Sequence, residues 1–372
     1  MFSRLLERLD ILWHWKSWPW ELLYFPVTLY VIVVGFIRSG NVFYFAAANP
    51  KLPLAGFAGE SKYEIIQRIP KEWKPKTLYV TNQDTLDELA PKISDLNMSY
   101  PLFVKPDVGE GGYLATKVDT WEDLKVYHES HAMNYLVQDF VQHDLEVSVL
   151  VHKAMGSLQI SSITERSHLK LVGNGTSTVR DLLNGLPHIR HRLSNILSKC
   201  QPYADLVLLN GQVWEPTSLG NLDYGSAYYD ITNQTTPLLR KVLESINDQV
   251  DLFDYARYDL KSASRQDLLD GKFQILEING VKGEPIHIYD SRCGFWKGQR
   301  EIFKHWGYVL TLSQRNQKQG AKVPGFRQGL SYLIQHKRTL QLSLNGKEIT
   351  APLFLIPVKA NSNKIEGLVR LQ

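Results

Sequence analysis

The chain has 372 residues, 44% hydrophobic and 22% charged, with a formal net charge of +4. This balance suits a packed protein of two or three domains and excludes a disordered or fibrous chain. The positive excess is small and dispersed, which argues against a nucleic-acid partner, and two distant cysteines, Cys200 and Cys293, suit reduced thiols rather than a disulfide framework.

Near the start, Trp13, Trp15, Trp18 and Trp20 crowd ahead of residues 22–37, an apolar run free of charge and bounded by Glu21 and Arg38. Spanning a bilayer takes roughly 20 apolar residues, with about 17 as the lower limit, and Pro26 interrupts the run. The expectation is a re-entrant or tilted membrane helix with an interfacial tryptophan belt. Arg4, Arg8, Lys16 and Arg38 flank it on both sides, which suits two cytoplasmic ends, although a single span is the other membrane arrangement. Pro19, the tryptophans and Glu21 fit poorly with a secretory signal, and the nearest small-residue site, Ala46 to Ala48, follows aromatic Phe43, Tyr44 and Phe45. A buried core helix of a soluble protein is the competing reading. Residues 41–50 read as a hydrophobic connector.

A helix is expected over 61–69. Residues 100–106 read as a strand ending in Lys105, followed by Asp107-Val-Gly-Glu-Gly-Gly112. Glycines 109, 111 and 112 let backbone N–H groups turn toward an anion, and Lys105 adds charge for phosphate oxygens. The order differs from the Walker pattern, in which the lysine follows the glycines, and it lacks Gly-x-Gly-x-x-Gly. A helix over 120–129 precedes a strand-like run, 134–141, and then Glu146 leads into apolar 147–151. Further helices are expected over 178–183 and 237–252, and His188 and His191 read as helix surface rather than metal ligands. Strand-like residues around Asp259 are followed by Lys272-Phe-Gln-Ile-Leu-Glu-Ile-Asn279-Gly. On a strand Glu277 and Asn279 share one face, with Leu276 and Ile278 on the other. Two carboxylates and an amide oxygen suffice for Mg²⁺, which keeps waters and phosphates in its shell. A lysine-rich link over 313–322 is expected to set off a C-terminal piece with a helix over 329–336, a strand over 339–344 and a hairpin turn at Asn345-Gly346.

From about Lys62 to about Ile288 these segments, in this order, resemble the ATP-grasp superfamily, especially its D-alanine:D-alanine ligase and cyanophycin synthetase branches. The second branch is suggested by Arg166-Ser-His-Leu-Lys-Leu-Val-Gly-Asn-Gly-Thr-Ser-Thr-Val-Arg-Asp-Leu-Leu, with Asn174 in place of the usual aspartate, and by Gly220-Asn-Leu-Asp-Tyr-Gly-Ser-Ala-Tyr-Tyr-Asp-Ile-Thr. The resemblance implies an α+β ATP-grasp fold, two lobes with antiparallel sheets clamping ATP. It implies that Lys62 and Lys105 contact phosphates, that Gly109, Gly111 and Gly112 form a mobile loop over them, and that Gln138, Asp139 and Val141 belong to an adenine-reading hinge. Glu146 would take the ribose hydroxyls, Asp259, Glu277 and Asn279 would bind Mg²⁺ or Mn²⁺, and Arg257 would contact the transferred phosphate. Ligases of this superfamily carry a full α/β domain ahead of the nucleotide lobe; here only about sixty residues precede Lys62.

The expected division is a membrane segment over 1–48, a smaller lobe over 49–144, a larger lobe with the metal site over 145–295, and an extension over 296–372. The expected activity is an ATP-dependent carboxylate–amine ligase, with Arg257 and Lys105 catalytic and an amphiphilic or lipid-linked substrate. It would be membrane-associated, with its catalytic part facing the cytoplasm. A non-catalytic nucleotide-binding scaffold and a phosphotransferase on the same fold are the alternatives.

Overall fold

In the computed structural model, residues 14–217 and 220–344 are described. Helix α1 (Trp20–Ser39) carries Pro26 within it and ends at Gly40, whose φ of 61° is the left-handed conformation that stops helices. Its two faces have different fates although both are apolar. Leu23, Val27, Val31 and Gly35 recur every four residues and are buried with Tyr24, whereas Phe25, Leu29, Ile32, Val33, Phe36 and Ile37 are exposed. The buried stripe lies along a 24-residue helix near the other end of the chain, Phe295–Lys318. Gln299 Nε2 donates to the Leu23 carbonyl at 3.1 Å, the Tyr30 and Phe303 rings are 5.4 Å apart, and Arg38 Nη1 donates to Gln314 Oε1 at 3.1 Å. The two helices therefore run side by side in the same direction. By length and composition α1 can cross a membrane, yet one face of it belongs to a protein core.

Residues 41–50 connect α1 to the rest of the chain, and their buried part is also the floor of that core. Phe43 to Asn49 are all buried. Asn49 uses its whole side chain: Nδ2 donates to the carbonyls of Ala55 and Tyr255 at 3.0 and 2.8 Å, and Oδ1 accepts from the N–H groups of Asp254 and Tyr255 at 2.8 and 2.9 Å.

Two antiparallel sheets follow. The first has the order β1 (Thr77–Val80), β4 (Tyr135–Asp139), β2 (Leu102–Pro106), β3 (Thr116–Val118). Helices α3 (Leu86–Asp95) and α4 (Trp121–Ser130) cover one face with Leu89, Ile93, Leu124 and Tyr127; α2 (Lys62–Arg68) precedes them. The second sheet has the order β11 (Gln274–Asn279), β10 (Tyr255–Ser262), β5 (Leu145–Ala154), β6 (Ser157–Ser167), β9 (Ala227–Asp230). Between β6 and β9 lie a two-stranded ribbon, β7 (Leu171–Val172) with β8 (Val213–Trp214), and helices α5 (Val179–Asn184) and α6 (Leu193–Lys199). Helix α7 (Pro237–Val250) joins α2 on the outer face of the second sheet through Leu239, Leu243, Ile65 and Ile66. Short α8 (Arg265–Leu269) links β10 to β11, and α9 (Phe295–Lys318) and α10 (Phe326–Leu344) complete the described chain. Both sheets place apolar residues toward helices and polar ones toward each other, the period-2 pattern expected of half-buried strands.

The C-terminal region departs from the sequence-based expectation. Residues 313–318 are the last turns of α9, not a link: Ser313 Oγ donates to the Phe45 carbonyl at 3.3 Å and Asn316 Nδ2 to the Ala47 carbonyl at 2.9 Å. Polar side chains are needed there because they satisfy backbone carbonyls of the buried 44–48 segment. Residues 339–344 continue α10 instead of forming a strand, since a six-residue alternation of Leu with Gln and Ser is also compatible with a helix already propagating through Lys, Arg and Gln. Asn345-Gly346 lies outside the described residues.

The buried face of α1 makes point substitutions more informative than truncation, because removing residues 14–40 would take core side chains with it. Gly35→Val should lower stability by at least about 1–3 kcal/mol, the usual cost of overpacking, because a Cβ there would meet the Tyr44 ring at 2.1 Å. Leu29→Ser on the exposed face should change it by less than about 0.5 kcal/mol. Denaturation of both variants in detergent measures the contrast.

Candidate active site

A cavity of about 520 Å³ lies between the two sheets. Every residue that the sequence resemblance assigns to the nucleotide and metal site lines it: Lys62, Lys105, the 109–112 loop, Gln138, Asp139, Val141, Glu146, Arg257, Asp259, Glu277 and Asn279. On β2 the alternation puts Leu102 and Val104 into the helix-covered core and Phe103 and Lys105 into the cavity. Lys105 is buried, which lowers its pKa to about 8, and its ammonium donates to the Leu276 carbonyl of the opposite sheet at 2.9 Å. That carbonyl is available because of a bulge. Asp259 pairs with Glu277, but Leu260 pairs with Ile275, so Leu276 drops out of the ladder. The same bulge turns Leu276 toward the cavity, against the simple alternation that assigned it to the other face; Ile278 does sit in the core.

Glycines 109–112 are anchored from several sides. Lys62, the first residue of α2, donates from Nζ to the Gly109 carbonyl at 2.6 Å, and Asn221 Nδ2 donates to the Gly111 carbonyl at 2.8 Å. Glu110 pairs with Lys282 and accepts from His336 Nε2 of α10 at 2.5 Å. The His336 bond and Lys282 together hold the Glu110 carboxyl down at about 2 against its burial. Positive φ at Gly111 and Gly112, 61° and 73°, explains why this turn uses glycine.

On β10 and β11, Arg257 stands opposite Asn279 and Asp259 opposite Glu277. Arg257 grips Asp259 with two bonds, Nε to Oδ1 at 3.0 Å and Nη2 to Oδ2 at 3.1 Å. The same carboxylate accepts from Arg166 Nη2 on β6 at 2.8 Å, from Ser148 Oγ at 2.5 Å and from Asn279 Nδ2 at 3.2 Å. Burial alone would raise the Asp259 pKa; Arg166 and Arg257 outweigh it and hold the group at about 2. Glu277 is freer, with Lys62 Nζ at 3.7 Å. Among the described residues no cluster of three or more His, Cys, Asp or Glu side chains offers a closed metal cage. The expected ligand Asp259 has its oxygens occupied by Ser148, Arg166, Arg257 and Asn279, which leaves Glu277 and the Asn279 amide oxygen to fit a hard cation that shares its shell with phosphates and water.

At the other end of the cavity, Phe103, Phe140 and Leu276 give it apolar walls, and Lys261 donates to the Val141 carbonyl at 3.2 Å. Gln138 Nε2 is bound to Thr77 Oγ1 at 2.9 Å. Burial raises the Asp139 carboxyl, partly offset by Lys76. Glu146 accepts from Arg166 Nη1 at 3.0 Å and lies 2.9 Å from His168 Nε2; burial would raise its pKa, and these partners keep it below the ordinary value.

Several site residues escaped the sequence reading. Arg166 and His168 were seen only as part of a longer segment, although Arg166 pairs in register with Glu146 across β5 and β6. Lys261 continues the 257, 259 alternation and was readable from it. Glu60, Lys282, Glu284 and His336 carried no periodic signal. Glu60 stands on a segment pressed against the end of β11: a Cβ on Gly280 would lie 2.3 Å from the Ala55 carbonyl oxygen. Its Oε2 is enclosed without a hydrogen-bond partner, and burial raises its pKa to about 7.

Solved structures similar to this chain include D-alanine–D-alanine ligase from Bacillus anthracis, with 12% identity over 70% of this chain and 68% of that one and a TM-score of 0.40. VanG D-Ala:D-Ser ligase from Enterococcus faecalis has 15% identity over 69% and 59%, with a TM-score of 0.37. A bifunctional glutathione synthetase from Pasteurella multocida has 13% identity over 68% and 36%, with a TM-score of 0.35. This chain therefore spans less than two thirds of the length of the latter two. No protein-family model and no curated protein sequence matches it.

Arg166 is the cation between two buried carboxylates, so Arg166→Met should destabilise the protein by about 3–5 kcal/mol near neutral pH, the usual cost of stranding a buried charge. Asp259 has a depressed folded-state pKa, so its contribution is present above about pH 4 and is lost as pH falls toward about 2. The gap between wild type and variant should narrow over that window in pH-dependent urea denaturation.

Proposed function

We propose that this protein is a membrane-associated ATP-grasp ligase that joins a carboxylate to an amine through an acyl phosphate, releasing ADP and phosphate. The observation that supports it best is the meeting, in one cavity, of two lysines and a glycine loop with an Asp-Glu-Asn set on paired strands.

Lys62, Lys105 and the loop N–H groups would hold the ATP phosphates, with the nucleoside lying between Phe103, Leu276 and the 138–141 backbone. Glu146, kept ionised by Arg166 and His168, has lone pairs left for ribose hydroxyls. Glu277 and Asn279 are the freer candidates for Mg²⁺ or Mn²⁺, while Asp259 is fully engaged and orients Arg257. The cation would supply positive charge to the phosphate oxygens during transfer. In the first step a substrate carboxylate oxygen attacks the γ-phosphorus and the bond to the β-phosphate oxygen breaks. Lys105 and Arg257 stabilise the negative oxygens, so positioning and charge do the work. In the second, the amine nitrogen attacks the acyl carbon, phosphate leaves and the nitrogen loses a proton. No side-chain nucleophile is needed.

The exposed apolar face of α1 would lie in one leaflet. A transverse span would carry α9, with exposed Lys297, Arg300 and Lys304, into the hydrocarbon region, which is costly. An in-plane helix avoids this and leaves the cavity in water on the cytoplasmic side.

Mg²⁺-dependent ATP binding should be seen in the detergent-solubilised wild type and should weaken by about tenfold or more in Glu277→Gln, as for loss of a charged ligand. With a carboxylate substrate, added hydroxylamine should yield a hydroxamate. A stable phosphoester instead would indicate a phosphotransferase, and binding without turnover a scaffold. ATP affinity should also fall as pH rises above about 8, where Lys105 loses its proton, and Lys105→Arg should retain affinity to higher pH. Calorimetric titration across pH 7 to 10 tests this.

A further inference from the structure

Resting on the ligase reading, we propose that Glu284 and the first turn of α1 form the acceptor subsite, which takes the primary ammonium of a membrane amphiphile. Glu284 lines the cavity in the stretch after β11. Its backbone runs against the transfer machinery: a Cβ on neighbouring Gly283 would lie 2.8 Å from the Arg257 Cβ and 3.4 Å from the Asn279 Cβ. From the other side Trp20 Nε1 donates to Glu284 Oε1 at 2.5 Å. Trp20 opens α1, is 45% exposed and stacks on Tyr24 at 4.8 Å. A single side chain thus connects the membrane-facing helix to the reaction cavity.

The charge pattern identifies the ligand. Asp259, Glu146, Glu277 and Glu110 each face a lysine or arginine within ion-pair distance. Glu284 has no cation at ion-pair distance among the described residues: Trp20 is bonded to it, the hydroxyls of Tyr24 and Tyr289 lie near it, and Arg257 and Lys282 act on it from farther away. The Tyr24 hydroxyl is enclosed and turned toward Glu284, and Tyr24 is 2% exposed. A carboxylate held by uncharged donors, with no ion pair of its own among the described residues, suits a ligand bringing a positive charge and N–H donors. Burial raises the Glu284 carboxyl, and a bound ammonium would draw it back to its ionised form. The nucleophile of the proposed second step is an amine that arrives as an ammonium, gives one proton to the Glu284 carboxylate to free its lone pair for attack beside Arg257 and Asn279, and releases a second to solvent as the amide forms. Glu284 is placed to hold that ammonium, and the exposed Phe25, Leu29 and Ile32 continue from its subsite along α1 to receive an acyl tail.

The test uses full-length protein with Mg–ATP and phosphatidylcholine vesicles doped with a long-chain primary alkylamine or the alcohol of equal length, beside a short soluble amine. Wild type should bind the membrane-presented amine at least about tenfold more tightly than the alcohol, the scale of one charge-assisted hydrogen bond, and more tightly than the short amine. Glu284→Gln should lose the preference, and Glu284→Asp should recover part of it. Equal binding of amine and alcohol by wild type, or a preference retained in Glu284→Gln, overturns the assignment; equal binding of the short amine overturns the membrane source. Mg–ATP binding in the same preparations reports separately on the nucleotide site, so its absence in wild type would remove the ligase reading while the amine preference is still read.

Discussion

Four hydrogen bonds from the Asn49 side chain fix the segment that joins the apolar helix to the rest of the molecule. An amide buried in an aromatic and alanine-rich floor would be costly if any of these were missing, so the residue specifies one seating of residues 44–55 on β10. That seating sets the positions of α1 on one side and of Glu60 and Lys62 on the other. Gly56 and Gly280 then approach so closely that neither tolerates a side chain, and the Val281 N–H bonds to the Ala55 carbonyl at 3.0 Å. The described residues ahead of Lys62 thus help to build the cavity, which Phe57, Ala58, Gly59 and Glu60 line, rather than merely precede it.

Inside the cavity, order comes from charge and hydrogen bonds shared among four strands. Arg166 from β6, Arg257 from β10 and Asn279 from β11 converge on Asp259, while Arg166 also reaches Glu146. Each guanidinium is thereby aimed before any ligand arrives. Such a network is expensive to bury and contributes little net stability, but it fixes geometry where a transferred group would need it.

The parts of this arrangement that follow local periodicity were readable from the sequence. Alternation on β10 and β11 brings Arg257, Asp259, Glu277 and Asn279 to one surface, and Lys105 followed by three glycines marks a strand and an anion-competent turn. What alternation could not supply was a one-residue bulge at Leu276, or contacts such as Glu110 with His336, which lie 226 positions apart. The hydrophilic 313–318 stretch misled for a related reason: its polar groups satisfy carbonyls 268 and 269 residues away. Apolar α1 was visible as an element, but hydropathy is equally high on both its faces, so the division between core and exposed sides emerged only from packing.

The bond from Lys105 to the Leu276 carbonyl joins the two sheets directly. Since the bulge leaves that carbonyl without a ladder partner, the lysine acts as a removable strut: separating the lobes strands a buried ammonium and an acceptor together. A polyphosphate entering the gap can take over the ammonium, converting a contact that resists opening into one that grips cargo. In the proposed ligase the charge that bridges the two sheets is the one a nucleotide would use, so nucleotide entry and release of that bridge would be one event at one side chain.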